Sequence, residues 1–385
     1  MNKGNFPVEK LKGIETPFYY YDVDLLKKTL KIVKEEIKKY GFQQHYAVKA
    51  NANRRILELI ASEGLGVDCV SGNEIKAAVN AGFPASKIVF AGVGKTDKEI
   101  NLALDLNIFC FNVESLPELE VINELAAKKG KVAQVALRIN PDVDAHTHEY
   151  ITTGLNENKF GFAMNMLDEV IEKLQSLKSI KLIGIHFHIG SQIEEFTPFE
   201  ALCERINELQ DYFANKEIKL EHINVGGGLG IDYENPDANP IANFEEYFAV
   251  FHKNLKQKEG QIVHFELGRA IVAQTGSLVT RTVYVKEGES KAFVIVDAGM
   301  TDLIRPALYQ AYHKIENISS DLPFKKYDVV GPICESSDVF VKNYELNETK
   351  RGDVLVLRSA GAYGEIMASQ YNCRDLPKAY YSDKI

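Results

Sequence analysis

The sequence predicts an α/β protein: a closed (β/α)8 barrel joined to a second, mainly β C-terminal domain that the N-terminal segment completes. Eight short apolar runs alternate with amphipathic helical stretches along most of the chain, the signature of parallel βα units. Eight such units match a closed barrel better than an open sheet. After Gly268 the rhythm changes to strands joined by turns, with little helix between them. A chain of 385 residues has room for both parts.

Taken in order, TPFYYYD (16–22) reads as a strand that adds to the second domain, and residues 25–39 as a helix leading into the barrel. The barrel strands are HYAVKA (45–50), LGVDCV (65–70), KIVFAG (87–92), IFCFNV (108–113), VAQVALRI (132–139), LIGIHFHI (182–189), EHINVG (221–226) and IVHFEL (262–267). Runs this apolar suit strands covered on both faces. Helical patterns follow at 54–62, 74–81, 97–105, 115–129, 166–177, 198–213 and 244–255, each with one apolar stripe, as at Ile56, Leu59 and Ile60. Beyond Gly268, strands are expected at 272–287, 291–299, 326–332, 338–343 and 353–361, with a helical insert at 301–313. The predicted domains are therefore a barrel over 25–267 and a β-rich domain made of 1–24 plus 268–385. A long polar connection, 140–159, follows the fifth strand; such a length inside a compact domain points to a functional or moving loop.

Hydrophobic residues make up 45% and charged residues 26%, which describes a globular chain rather than a disordered one. The 45 Lys and Arg against 54 Asp and Glu leave a net charge of −9, which argues against nucleic-acid binding. No stretch approaches the roughly 18 apolar residues of a membrane span. MNKGNFPVEKLKG lacks the apolar core of a secretory signal, so a cytoplasmic protein is expected. Cys69, Cys110, Cys203, Cys334 and Cys373 show no CxxC spacing, and neither a disulfide framework nor a metal site is expected.

Chemistry in a βα barrel gathers at the C-terminal ends of the strands. Lys49 ends the first run, as either a snorkelling surface residue or a desolvated amine able to form a Schiff base with an aldehyde. HFHIGSQ at the end of the sixth run supplies His186 and His188, whose i, i+2 spacing puts both on one side of a strand. That pair suits a metal, an aromatic ring or a hydrogen-bonded core, and a metal lacks a third ligand. His146 and His148 share the spacing but fit a polar loop. VGGGLG after the seventh run offers Gly226, Gly227, Gly228 and Gly230, either a tight turn or a cradle of N–H groups for a phosphate. ELGR ends the eighth run, so Glu266 either pairs with Arg269 or meets a protonated ring nitrogen. A lysine for an aldehyde, a ring-facing histidine, a phosphate cradle and an acid for a ring nitrogen together describe pyridoxal 5′-phosphate.

The chain resembles the alanine-racemase-like (fold type III) pyridoxal-phosphate enzymes and, among them, the diaminopimelate decarboxylases. The resemblance covers nearly the whole chain, through YAVKAN (46–51), VDCVSGNE (67–74), NPDVDAHTHEYITTGLNENKFGF (140–162), HFHIGSQI (186–193), VGGGLGI (225–231), ELGR (266–269), DAGMTDLIRPALYQAYH (297–313), GPICESSD (331–338) and GAYG (361–364). It implies pyridoxal-phosphate-dependent decarboxylation of meso-2,6-diaminopimelate, at its D-configured carbon, to L-lysine and CO2, the last step of lysine biosynthesis. By the same resemblance Lys49 is the Schiff-base lysine and His188 stacks on the cofactor ring. Ser191, Gly226, Gly227 and Gly228 hold the phosphate with Tyr363 nearby, and Glu266, Leu267, Gly268 and Arg269 complete the cofactor site. Arg269, Arg305, Tyr309 and Tyr363 take the substrate's distal carboxylate end, and Glu335 its distal amino group. Cys334, which on its own reads equally well as a small buried hydrophobe, matches a catalytic cysteine lent by the partner subunit, which implies a homodimer.

Two positions depart from the family pattern. Leu267 stands for a proline, which frees φ without moving Glu266 and Arg269 out of register, and Asn73 stands for a glycine, at a position where Asn would tolerate φ > 0. Rival readings are a decarboxylase of arginine, ornithine or carboxynorspermidine, a metal-dependent barrel hydrolase built on His186 and His188, and a non-catalytic cofactor carrier. The arginines speak against a cationic distal end, the HxH pair sits on the sixth rather than the first strand, and a carrier would not need Cys334 or the substrate residues.

Overall fold

The computed structural model describes residue 4 and residues 6–143 and 159–385. His146, His148 and most of the 140–159 connection therefore lie outside the described residues. Backbone contacts divide the chain into two compact units: Leu30–Gly230 with Asn243–Gly268, and Met1–Thr29 with Ile231–Ala242 and Arg269–Ile385. Near the main crossing points these limits differ by a few residues from 25 and 267. The allegiance of 231–242 to the β-rich unit is the larger difference, because a polar connection carries no periodicity that would assign it.

In chain order, β1 (Phe18–Tyr21) belongs to the β-rich unit. The barrel follows as β2 (Gln43–Ala47), β3 (Gly66–Cys69), β4 (Ile88–Phe90), β5 (Cys110–Val113), β6 (Ala133–Arg138), β7 (Ile180–His186), β8 (His222–Asn224) and β9 (Ile262–Phe265). All eight pair in parallel, and β2 closes on β9 through Gln43 opposite His264 and Gln44 opposite Phe265. Helices alternate with them as the apolar stripes require, Arg54–Ser62 among them, which buries Ile56, Leu57 and Ile60. Polar side chains fix where the helices begin. Ser71 accepts from Glu74 N, Thr96 and Glu99 form a reciprocal capping box, and Ser115 and Asn243 accept from Glu118 N and Glu246 N. Each cap is worth roughly 1 kcal/mol and ends the preceding loop at a defined residue. No helix among the described residues is long and apolar enough to cross a membrane.

Two strand ends come earlier than the sequence suggests. β2 stops at Ala47, and Val48–Ala50 is a single 3-10 turn closed by Asn51 N donating to Val48 O at 3.0 Å. Lys49 thus rides on a turn above the strand. β7 stops at His186, so His188 stands beyond the ladder, and alternation along a strand no longer governs it.

At the other end of the barrel three imidazoles form a chain. His45 Nδ1 faces Lys87 O at 3.1 Å, and a carbonyl can only accept, so this nitrogen carries the hydrogen. His45 Nε2 then accepts from His264 Nδ1 at 2.9 Å, and His264 Nε2 accepts from His222 Nδ1 at 2.9 Å. Burial pushes the pKa of His45 down to about 4 and lowers His264 well below the ordinary histidine value.

The β-rich unit continues with β10 (Gly276–Glu287), β11 (Ala292–Val296), β12 (Ile315–Asn317), β13 (Phe324–Val330), β14 (Val339–Asn347), β15 (Val354–Leu357) and β16 (Lys378–Tyr381). Its main path is β12-β15-β10-β11-β13-β14, and β1 lies antiparallel to β10 and parallel to β16. The N-terminal segment therefore supplies the strand expected of it. Leu11, Phe18, Tyr20, Val279, Val354 and Val356 pack into its core. Arg269–Val272 is a short helix and Ala273–Thr275 a 3-10 turn, so β10 begins at Gly276 rather than at 272. The helical insert shrinks to Arg305–Tyr309, and β12 and β16 are additions that no apolar run announces.

Candidate active site

Polar side chains at the C-terminal ends of β3, β6 and β7, with residues just beyond the barrel strands, build a cavity of about 410 Å³. Lys49, Asp68, Glu99, Arg138, His186, His188 and Glu266 line it. Glu266, just past β9, is buried and is held by three side chains from three other strands. Asn112 Nδ2 and Asn224 Nδ2 donate to Oε1 at 3.0 and 2.6 Å, and His186 Nε2 meets Oε2 at 2.9 Å. Burial alone would raise its pKa, but His186, Lys49 and Asn224 outweigh that and hold the carboxyl well below the usual range, so it is an anion. With that oxygen unable to donate, His186 Nε2 is the donor. Among the described residues Glu266 therefore bonds to side chains of β5, β7 and β8, not to Arg269.

The Lys49 amine lies 3.8 Å from Asp68 Oδ2, with Asp68 nearly fully buried and the lysine side chain 41% exposed. Neither carboxylate oxygen of Asp68 has a hydrogen-bond partner among the described residues. Burial, then the charge of Glu266, pushes its pKa well up. Burial, then the charge of Lys49, lowers His188 well below the ordinary histidine value, so its ring is neutral. Arg138 is tied to Glu114, with Nη1 2.9 Å from Oε1, and its guanidinium lies 4.5 Å from the centre of the Phe160 ring.

The glycines after β8 are demanded by close packing. A Cβ on Gly226 would stand 2.2 Å from Phe187 O, and one on Gly227 would stand 2.4 Å from Glu266 O. Gly226 also has φ +73°, a conformation open to glycine at little cost. Ser191 is half-buried in the loop after β7, and Gly228 N–C=O geometry is fixed by Ile193 N donating to Gly228 O at 3.0 Å. Leu267 O accepts from Ala47 N at 3.2 Å, so replacing proline leaves the ELGR backbone tied to β2. Asn73 sits in the first turn of the helix Gly72–Asn80 and is not among the residues with positive φ, which removes the expected need for a left-handed backbone there.

In the β-rich unit, Arg269 and Arg305 are both buried and converge on one phenol: their Nη1 atoms donate to Tyr233 Oη at 2.7 and 3.0 Å. The Arg269 guanidinium lies 4.9 Å from the Tyr363 ring centre. Tyr309, at the end of the Arg305–Tyr309 helix, is half-buried and raises the pKa of Arg269, behind the larger effects of burial, which lowers it, and of Tyr233 and Tyr363. Cys334 and Glu335 stand on an exposed loop. Asp338 shapes that loop, its carboxylate accepting from Ile333 N at 2.7 Å and Met300 N at 2.6 Å. Cys334 N donates to Asn372 Oδ1 at 3.0 Å, and Tyr371 Oη to Glu335 Oε1 at 2.7 Å. Cys334 is thus exposed, not the buried hydrophobe of the alternative reading.

Comparison with known proteins agrees with this chemistry. The family described as pyridoxal-dependent decarboxylase, pyridoxal binding domain, matches residues 23–273. A diaminopimelate decarboxylase of Bacteroides thetaiotaomicron is 62% identical over 384 residues, covering 100% of both chains. The chain belongs to the diaminopimelate decarboxylase family. The crystal structure of the Helicobacter pylori diaminopimelate decarboxylase complexed with L-lysine superimposes with a TM-score of 0.91 at 41% identity, covering 98% of this chain and 94% of that one. The arginine decarboxylase of Paramecium bursaria Chlorella virus, at 21% identity and a TM-score of 0.85, shares the fold.

As a member of the diaminopimelate decarboxylase family the chain is a carboxy-lyase whose cofactor is pyridoxal 5′-phosphate. The barrel residues fit that group. An amine and a fixed anion face one cavity, as an aldehyde and a protonated ring nitrogen require, and the Gly226–Gly228 backbone has no room for side chains that would block a phosphate. Sequence reasoning overlooked Asp68, Asn112, Arg138 and Asn224. Their signal was present, as single polar residues inside otherwise apolar strands, positions where burial is costly unless a partner or ligand awaits.

Proposed function

We propose that this chain decarboxylates meso-2,6-diaminopimelate to L-lysine and CO2 in the cytoplasm, as the last step of lysine biosynthesis. The observation that carries this reading is the anionic Glu266, locked by His186, Asn112 and Asn224 in the same cavity as the Lys49 amine. Bound pyridoxal phosphate supplies the electron sink that accepts the pair left when CO2 departs. The chain's own residues do the rest. Lys49 anchors the cofactor and holds or releases a proton at Nζ, next to Asp68. Glu266 keeps a proton on the ring nitrogen by its fixed negative charge. His188, neutral, offers the flat face of its ring, while Ser191 and the Gly226, Gly227 and Gly228 backbone hold the phosphate beside Tyr363. Leu267 and Gly268 carry Glu266 and Arg269 in register.

Arg269, Arg305, Tyr309 and Tyr363 bind the distal carboxylate of the substrate, and Glu335 the amino group beside it. Either Cys334, lent by the partner of a homodimer, or Lys49 delivers the proton that replaces CO2. The exposure of Cys334 and Glu335 supports a role completed by a second copy. Functionally the chain comprises the cofactor-binding barrel, 25–267, and the β-rich domain, 1–24 plus 268–385. The deciding experiment follows lysine release from meso-diaminopimelate with and without added pyridoxal phosphate, with ornithine and arginine alongside. Cofactor-dependent lysine formation selective for diaminopimelate is expected, and turnover of ornithine or arginine in its place would overturn the substrate assignment.

A further inference from the structure

The arrangement around Tyr233 extends the substrate site. Arg269 and Arg305 both donate to its hydroxyl, and two acceptances use both lone pairs of a phenol oxygen. The hydroxyl's own hydrogen has no acceptor among the described residues. Arg305 is also held from behind: its Nη1 donates to His313 Nε2 at 3.0 Å, while His313 Nδ1 donates to Arg358 O at 2.9 Å. The ring of His313 meets that of Tyr233 edge-on, with centroids 5.3 Å apart, and the Arg305 guanidinium lies 5.1 Å from the Tyr233 ring centre. The partners of Arg305 among the described residues are thus a phenol and a neutral imidazole, neither of which cancels its charge. Burial, and secondarily Arg269, lower its pKa against the opposing effect of Tyr233. Burial would raise the Tyr233 pKa, yet the two arginines outweigh it and the net shift is downward.

The segment bearing Tyr233 is itself held firmly. Asp232 Oδ1 accepts from Glu234 N and Asn235 N at 2.9 and 2.8 Å, and Asp237 accepts from Arg358 Nη2 at 2.8 Å. A fixed phenol whose proton is unspent, between two buried guanidiniums, is a receptor for a carboxylate. We propose that the Tyr233 hydroxyl is a further donor to the substrate's distal carboxylate, selecting a ligand with an acid at that end over a simple diamine. This rests on the reading that Arg269 and Arg305 take that carboxylate. His313 is the positioning residue that aims Arg305.

Tyr233→Phe keeps the ring against His313 and Arg305 and removes only the hydroxyl. The variant is expected to raise KM for meso-diaminopimelate and the inhibition constant of L-lysine by about tenfold each, the worth of one hydrogen bond to a charged group. Its kcat should stay within about threefold, and inhibition by 1,5-diaminopentane, which has no carboxylate, should move less than about twofold. An unchanged KM and lysine inhibition would overturn the proposal, as would an equal loss for the diamine, which would mark a merely structural role. Arg305→Met tests the foundation separately. If it leaves L-lysine inhibition unchanged, the arginine reading itself falls, whatever Tyr233 does.

Discussion

Glu266 illustrates how one side chain can be prepared in advance for a charge it will meet. Three donors on three strands fix its two oxygens, and the cost of burying an anion is offset by interactions that all favour the ionised form. An opposite charge at contact range favours the protonated form of a ring nitrogen by about 1–3 pKa units. Glu266→Gln is therefore expected to lower kcat by about 10- to 1000-fold with cofactor still bound, as steady-state kinetics at saturating pyridoxal phosphate would record. Activity within threefold of the parent would refute the assignment of Glu266 to the ring. The sequence pointed to Glu266, Lys49 and His188 because each ends a recognisable run. It gave no comparable notice of Asn112 or Asn224, whose importance lies in contacts between strands far apart in the chain.

At the scale of elements, the loop after β8 is tightly specified. A methyl on Gly227 would collide with Glu266 O, which is backbone and cannot swing aside. Overpacking of this kind costs about 1–3 kcal/mol, so Gly227→Ala should lower the denaturation midpoint and weaken cofactor binding together. Gly13→Ala, where the nearest neighbour is Lys10 O at 3.5 Å, serves as the comparison and should change stability by less than about 0.5 kcal/mol. Equal effects of the two would contradict the packing argument. Barrel strands and helices were legible because runs buried on both faces and stripes at helical spacing leave clear patterns. The 3-10 turn that lifts Lys49 off β2, and the early end of β7, were not legible, since a single turn has no pattern of its own. β16 pairs with β1 across most of the chain length, and no local signal announces such a partner.

For the whole molecule, the proposed exchange of residues between subunits makes a prediction that no single chain can satisfy. Lys49→Ala and Cys334→Ala proteins, each inactive, should regain part of the activity when mixed and allowed to exchange, because one site in the mixed dimer then carries both native residues. No recovery after demonstrated exchange would argue against a shared site. The allegiance of 231–242 to the β-rich unit matters here too, since it makes Tyr233 a neighbour of Arg269 and Arg305 although a whole βα unit separates them in sequence. Finally, the imidazole chain beneath the barrel gives the fold a polarity towards acid. With His45 committed to Lys87 O, every hydrogen in the row points the same way, and only the His222 end keeps a nitrogen through which a proton can enter. The unfolded chain, under no such discipline, takes up protons as soon as the pH drops below 6.5, while folded His45 resists to about 4. Native stability should thus be full above neutrality and erode as the medium acidifies across that interval, by on the order of 3 kcal/mol from His45 alone. Urea titrations at pH 7.5 and pH 5 would register it, and identical midpoints would mean the row is not held neutral. A one-way queue of rings makes the sealed end of the barrel, far from any chemistry, its acid-sensitive seam.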